Sequence, residues 1–188
     1  MQPADHAPDT IPWETVEARW GVVFPEDYKA FLDAYGPGTI ANYLPIEAPT
    51  PDGSRDHFGG YAALDTPLDA GILADLECPF PAHPAPGGIF AISGTPDGDT
   101  LFYRTAPKPA DWHIVTWSRG GYLGEHWAEH PMGLAEFLVA IFAGQLPQNP
   151  FGGSDLWEIE AATFEHWELE QRRREQYALE HLRLTPRG

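Results

Sequence analysis

Cysteine is nearly absent from this chain of 188 residues, in which Cys78 stands alone. One cysteine permits neither an intramolecular disulfide nor a cysteine-rich zinc site. Basic residues are also scarce: 11 lysines and arginines stand against 28 aspartates and glutamates, which gives a formal net charge of -17 at pH 7. Because like charges repel, we expect no binding to nucleic acid or to an anionic membrane surface, whereas a basic partner would be attracted.

Long apolar runs and the common catalytic signatures are missing as well. No stretch is long enough to cross a bilayer, and residues 1–10, "MQPADHAPDT", lack the pattern of a secretory signal. We therefore expect a cytoplasmic location, with a cysteine-poor secreted protein as the alternative. The sequence contains no G-x-S-x-G, no P-loop and no dinucleotide glycine pattern. The sequence therefore gives no candidate for these common nucleophile or nucleotide-binding sites.

Helical patterns occupy both halves of the chain. The clearest is "FPEDYKAFLDAYGPG", where Pro25 favours a first helical turn, Tyr28, Phe31 and Leu32 form an apolar stripe, and Gly36 ends the pattern. Four other segments share helical features: "TIPWETVEARWG", "LDAGILADLE", "PMGLAEFLVAIFAGQLP" and the tail from Asp155 to Arg183.

Between the helical segments the sequence favours strands. "TIANYLPI" indicates one short strand, and "GGIFAIS", "TLFYRT" and "DWHIVTW" are rich in β-branched and aromatic residues, which predicts an antiparallel meander. Asp97 and Gly98 lie in "GTPDGD" between the first two strands of this meander. A hairpin turn explains this pair better than a calcium loop, because no further oxygen ligands follow at the spacing that calcium requires.

The order of these segments resembles the SUKH superfamily, with its Smi/Knr-type domains, from Trp13 to Leu146. The residues that match the family pattern are Pro25, Tyr28, Phe31, Leu32, Gly36, Gly98, Asp99, Trp112, Phe137 and Leu138. The resemblance implies an α+β fold with a mixed, largely antiparallel sheet flanked by helices. It assigns residues 1–150 to this domain and leaves residues 151–188 as a C-terminal helical extension, packed on the domain or trailing it.

The resemblance also implies a function without catalysis, so we expect a protein that is not an enzyme, uses no cofactor and takes no small-molecule substrate. Many bacterial members are immunity proteins that bind and neutralise a toxin, often a nuclease, whereas fungal members are scaffold-like regulators of cell-wall synthesis. Together with the acidic charge, this predicts an immunity protein whose partner is a basic toxin domain. A scaffold or regulatory protein without a toxin partner is the alternative.

A third function, that of a small metal-dependent hydrolase, depends on "GEHWAEHP". His126, Glu129 and His130 have the H-x-x-E-H spacing that presents zinc ligands and a general base when it lies on a helix. Glycines precede the motif and Pro131 follows it at once, so a long helix is disfavoured. We expect this stretch to connect the last strand to the following helix and to bind no metal.

Acidic residues are the candidates for contact with a partner. The segment from Pro49 to Glu77 is long, rich in glycine and proline, and carries many carboxylates, which favours a binding surface or a mobile insert. The predicted contact residues are Asp52, Asp56, Asp65, Asp69, Asp75, Glu77, Asp97 and Asp99.

Overall fold

Helices and strands both occur in the computed structural model, which describes residues 10–49, 70–153 and 155–184. The helices are α1 (Trp13–Trp20), α2 (Glu26–Tyr35), α3 (Ala70–Asp75), α4 (Leu134–Phe142) and α5 (Trp167–Leu184). The strands are β1 (Gly38–Ile40), β2 (Leu44–Ile46), β3 (Ile89–Gly94), β4 (Thr100–Arg104), β5 (His113–Tyr122), β6 (Glu125–His130) and β7 (Phe164–His166). None of the helices in these ranges has the length and apolar character needed to cross a membrane.

Helix α2 has the apolar stripe that its sequence predicts. Pro25 is the N-cap residue with an extended ψ of 141°, so the helix begins at Glu26, and Tyr28, Phe31 and Leu32 are all buried. At the other end the Gly36 amide donates to the Leu32 carbonyl at 2.8 Å, with φ at +70°. Glycine fits this position because it adopts a positive φ without a Cβ clash.

Strands β3, β4, β5 and β6 form the larger sheet in that order, and every pairing is antiparallel. The three-strand meander predicted from the sequence is present, with β6 as a fourth strand. The inner face of this sheet carries buried residues that pack with α2 and α4 in the main core: Phe90, Ile92, Leu101, Tyr103 and Ile114. The outer face carries a smaller buried cluster of Ile89, Ala91, Phe102 and Val115 with Leu73 from α3.

A second sheet of three strands has the order β2, β1, β7, again antiparallel throughout. "TIANYLPI" was expected as one strand, but it forms the two strands β1 and β2. Ala41 and Asn42 both adopt a positive φ between them, which turns the chain back on itself. The α+β class and the C-terminal helix are confirmed. The strands lie in two antiparallel sheets, and an isolated parallel bridge joins Ala82 to Ile89 at the edge of β3.

The tail differs from the continuous helix that its sequence favours. Helix α5 begins only at Trp167, after strand β7 has paired with β1, with Gly38 opposite His166. Phe151 and Leu156 are also buried in the main core. The domain boundary at residue 150 stays a prediction, but described residues beyond it supply a strand and core side chains.

Candidate protein-binding surface

The predicted contact residues fall into three groups. Four of them lie outside the described residues: Asp52, Asp56, Asp65 and Asp69. Asp75 and Glu77 are exposed at the end of α3, and Asp97 is exposed in the turn between β3 and β4. These three carboxylates can meet a partner without rearrangement of the fold.

Asp99 is in a different environment, because its side chain is only 1% exposed. Its Oδ1 accepts hydrogen bonds from the Ser118 hydroxyl at 3.1 Å and from the Arg119 amide at 2.8 Å. Its Oδ2 accepts from the Gly152 amide at 2.7 Å. The carboxylate thus joins the β3–β4 turn to β5 and to the loop after α4, which is the structural role that the family pattern implies for Asp99. Its contact with a partner stays a prediction, which its burial does not favour.

Tyr43 extends this network toward the surface. Its hydroxyl donates to Asp97 Oδ2 at 2.9 Å and lies 3.5 Å from Asp99 Oδ2. Burial and the nearby carboxylates raise the pKa of Tyr43 to about 12, with burial the larger cause. The phenol therefore stays protonated and remains a hydrogen-bond donor at physiological pH.

The H-x-x-E-H motif lies on strand β6, so the prediction that it is a connecting turn is wrong. In a strand, successive side chains point to opposite faces, and residues four apart are separated by about 13 Å. His126 and His130 therefore share one face at a distance too long for a common metal ion, and Glu129 is on the other face. Among the described residues, no group of three or more His, Cys, Asp or Glu side chains is placed to hold a metal.

Each member of the motif has a local partner. Glu129 Oε2 accepts hydrogen bonds from Arg104 at 2.6 Å and from His113 at 2.8 Å. Burial alone would raise the pKa of Glu129, but the bonds from His113 and Arg104 outweigh it and hold the pKa below its usual range. His126 donates from Nδ1 to the Ser118 carbonyl at 2.7 Å.

His130 is the buried member of the motif, with 7% of its surface exposed. Its Nε2 hydrogen-bonds the Thr116 hydroxyl at 3.0 Å, and its ring lies 5.0 Å from the ring of Phe137. Burial, with a smaller contribution from His113, lowers the pKa of His130 to about 4. The imidazole is therefore neutral at physiological pH and serves as a core side chain.

The residues that match the family pattern lie mainly in the core. Tyr28 and Phe137 are fully buried, and the Tyr28 hydroxyl donates to the Glu47 carbonyl at 2.6 Å. Trp112 is 6% exposed, and its indole N–H donates to the Ala106 carbonyl at 2.8 Å. These residues therefore contribute to the core of the fold.

The sequence did not reveal the outer edge of β6, which is the last strand of the larger sheet. In the described part of the chain no strand pairs with that edge. The Trp127 indole N–H donates to the Leu76 carbonyl at 2.9 Å, which brings Asp75 and Glu77 beside the strand. A period-two alternation of Glu125, Trp127 and Glu129 with the residues between them was the available signal, but polar residues occur on both faces and weaken it.

Comparison with known proteins supplies one match. A family model described as SMI1 / KNR4 family (SUKH-1) matches residues 12–136, which is more than half of the chain. The matched range runs from the start of α1 to the first turn of α4 and includes the whole larger sheet. No curated protein and no solved structure matches the chain.

Proposed function

Because the chain belongs to the SMI1 / KNR4 family (SUKH-1), we propose that it binds another protein, as an immunity protein that neutralises a basic toxin domain in a bacterial polymorphic toxin system. No catalytic step and no cofactor enter this function. Its cytoplasmic location stays a prediction from the sequence.

The observation that carries the proposal is the large excess of acidic residues and the way the few basic ones are used. The net charge is -17. Lys29 is paired with Glu17 and Glu26, and Arg104 with Glu129. Arg172 and Arg174 each contact a glutamate four positions earlier on α5, and Arg173 contacts Glu165 of β7. Since much of the positive charge is neutralised locally, exposed carboxylates dominate the field that a partner meets.

Such a field suits inhibition of a protein that itself binds a polyanion. A basic nuclease groove attracts phosphates, and an acidic protein surface can occupy the same groove by charge complementarity. The immunity protein would then act by covering the groove, in a stoichiometric complex. Complementary potential also raises the rate of association, which matters when the toxin must be captured before it reaches its substrate.

The two alternative functions differ in their support. The hydrolase hypothesis needs His126 and His130 on one metal ion, and their separation along β6 gives it no support. A scaffold or regulatory role is compatible with the same family and the same acidic surface. The two binding functions differ only in whether a toxin is the partner.

Co-expression separates the binding functions. The partner to be tested is the C-terminal domain of a large multidomain protein encoded next to this chain. We expect the domain alone to arrest growth, and co-expression of the full chain to restore it through a stable complex. No rescue and no complex would make the immunity proposal wrong, whereas a complex that leaves toxicity unchanged would favour the scaffold.

A further inference from the structure

The two edges of the larger sheet are not equally covered. At the β3 edge, the His83 amide donates to the Ile89 carbonyl and the Ile89 amide donates to the Pro81 carbonyl, each at 2.9 Å. The β6 edge has neither a strand nor a bridging segment of this kind against it among the described residues. An open edge presents backbone N–H and C=O groups on which an added strand can pair.

Carboxylates lie along the outer-face side of β6. Glu125 is exposed on the strand itself, and the bond between the Trp127 indole and Leu76 holds Asp75 and Glu77 nearby. Glu129, two residues beyond Trp127 on the same face, is already paired with Arg104 and His113. Side chains of an added strand that point to this side would therefore meet negative charge.

The inner-face side of β6 differs, because a groove runs between the strand and the loop after α4. Its cavity volume is about 220 Å³, and its lining includes Thr116, His126, Ala128 and Phe151. Ala128 offers only a methyl group, which leaves room for an entering side chain. The rest of the lining is mixed, because Ser118 and Asn149 are polar and Phe151 is only 4% exposed. A side chain of modest size, such as a branched aliphatic one, suits this groove.

We infer that the β6 edge binds an extended, basic segment of the partner protein as an additional strand. Side chains alternate across a strand, so one set would meet Asp75, Glu77 and Glu125 while the other set enters the groove. A second copy of this chain is a poor occupant. Two antiparallel β6 strands would bring Glu125 and Glu129 of each copy toward each other, between molecules that each carry -17.

The inference rests on the proposed function for the identity of its partner, but a peptide probe tests the edge by itself. The probe is an acetylated and amidated octapeptide of alternating Lys and Val, and its control alternates Lys and Pro. Both peptides carry the same charge, but proline cannot donate to a strand ladder. Binding is followed through the backbone amide signals of the isotope-labelled full chain.

We expect the Lys-Val peptide to shift the amide signals of Glu125 to Glu129 and to bind about tenfold tighter than the Lys-Pro peptide, since ladder hydrogen bonds supply affinity in strand addition. Equal binding of the two peptides, or shifts elsewhere on the surface, would overturn the inference. Neither result depends on whether a toxin is the natural partner.

Charge-reversal variants test whether the toxin domain contacts the carboxylates beside the β6 edge. Glu77→Lys with Glu125→Lys should weaken the complex by at least about tenfold, because two attractive contacts become repulsive. The control pair, Glu14→Lys with Glu180→Lys, makes the same change of charge on α1 and α5 and should leave most of the affinity. Equal losses in the two pairs would show that only total charge matters and would overturn the edge as the contact.

A steric variant addresses the groove. Ala128→Arg fills it and should weaken both the Lys-Val peptide and the toxin domain, while Ala34→Arg, exposed on α2, should not. Thermal unfolding of both variants verifies that they are folded. If Ala128→Arg and Glu77→Lys/Glu125→Lys still rescue cells from the toxin, the β6 edge is not the contact, although the immunity function stands. If the Lys-Val peptide binds at β6 but the wild-type chain gives no rescue, the edge is a binding site and the immunity function is wrong.

Discussion

At the scale of single residues, the buried carboxylate of Asp99 joins three segments that are far apart in the sequence. We expect Asp99→Asn to lower the free energy of unfolding by about 2 kcal/mol, because an amide NH₂ would replace one of the oxygens that accept from Arg119, Ser118 and Gly152. Chemical denaturation measures the change. Asn is close to Asp in volume, so the loss would report hydrogen bonding and not a cavity.

Asp97 provides the matched control, two positions away in the same turn. It is exposed and accepts one described hydrogen bond, from the Tyr43 hydroxyl. Asp97→Asn should therefore change the free energy of unfolding by less than about 0.5 kcal/mol. If the two variants were equally stable, the hydrogen bonds of Asp99 would not hold the three segments together.

Gly36 and Gly21 end helices α2 and α1 with nearly the same φ, +70° and +67°. A Cβ at Gly36 would lie 2.7 Å from the His166 ring, whereas nothing is within 4 Å of a Cβ at Gly21. Gly36 also has ψ of -178°, a combination that is nearly exclusive to glycine. We expect Gly21→Ala to cost about 1 kcal/mol in unfolding free energy and Gly36→Ala about 3 kcal/mol. Equal costs would contradict the close contact with β7.

His130 makes stability depend on pH. Its folded pKa of about 4 is below the ordinary value of 6.5, so the unfolded chain binds a proton that the folded chain does not. The stabilisation is therefore complete above about pH 6.5 and is lost as the pH falls toward 4. We expect about 3 kcal/mol of acid-induced loss that His130→Gln lacks, with unfolding free energies measured from pH 7 to pH 4. Parallel curves for the two proteins would show that His130 titrates normally in the fold.

At the scale of elements, strand β7 ties the tail to the domain. It pairs with β1, and Phe151 and Leu156 enter the main core before it. Helix α5 is anchored at its start, where Glu170 accepts from the Thr39 hydroxyl at 2.9 Å, but all residues from 171 to 180 are exposed. The first and last parts of the tail should therefore differ in their importance for folding.

Two truncations test this difference by circular dichroism and thermal unfolding. A chain that ends at Pro150 loses β7 and two buried core residues, and we expect it to lose cooperative unfolding. A chain that ends at Glu175 keeps every described core contact and should unfold within about 5 °C of the full chain. A stable, cooperative chain of residues 1–150 would instead establish the domain boundary expected from the sequence.

The elements that the sequence predicts are those whose signal is local. Helices α2 and α4 carry their own apolar stripes, and β3, β4 and β5 are rich in β-branched and aromatic residues. Strand β7 has only three residues and depends on pairing with β1, more than 120 positions earlier, which no local pattern records. The β6 edge was missed for a related reason, since an open edge is a property of the sheet order.

At the scale of the whole molecule, charge is the property that the sequence predicts best and that no single contact explains. Residues 1–100 hold 16 acidic and 3 basic residues, and residues 101–188 hold 12 acidic and 8 basic. The negative field is therefore a sum over many exposed carboxylates, and it acts over distances longer than any hydrogen bond. We therefore expect the net charge to affect the rate of association with a partner more than the stability of the complex.

The dependence on salt distinguishes an effect on the association rate from an effect on the dissociation rate. Charged groups at the periphery of an interface mainly affect the association rate constant. Mobile ions shorten the range of their field to a few ångströms at high ionic strength. We expect the association rate constant with the toxin domain to fall about tenfold between roughly 50 and 500 mM NaCl, with the dissociation rate changed by less than about threefold. Stopped-flow mixing measures the first rate and displacement by unlabelled chain the second. An association rate that is independent of salt would mean that the net charge of -17 keeps the protein dispersed and does not steer its partner.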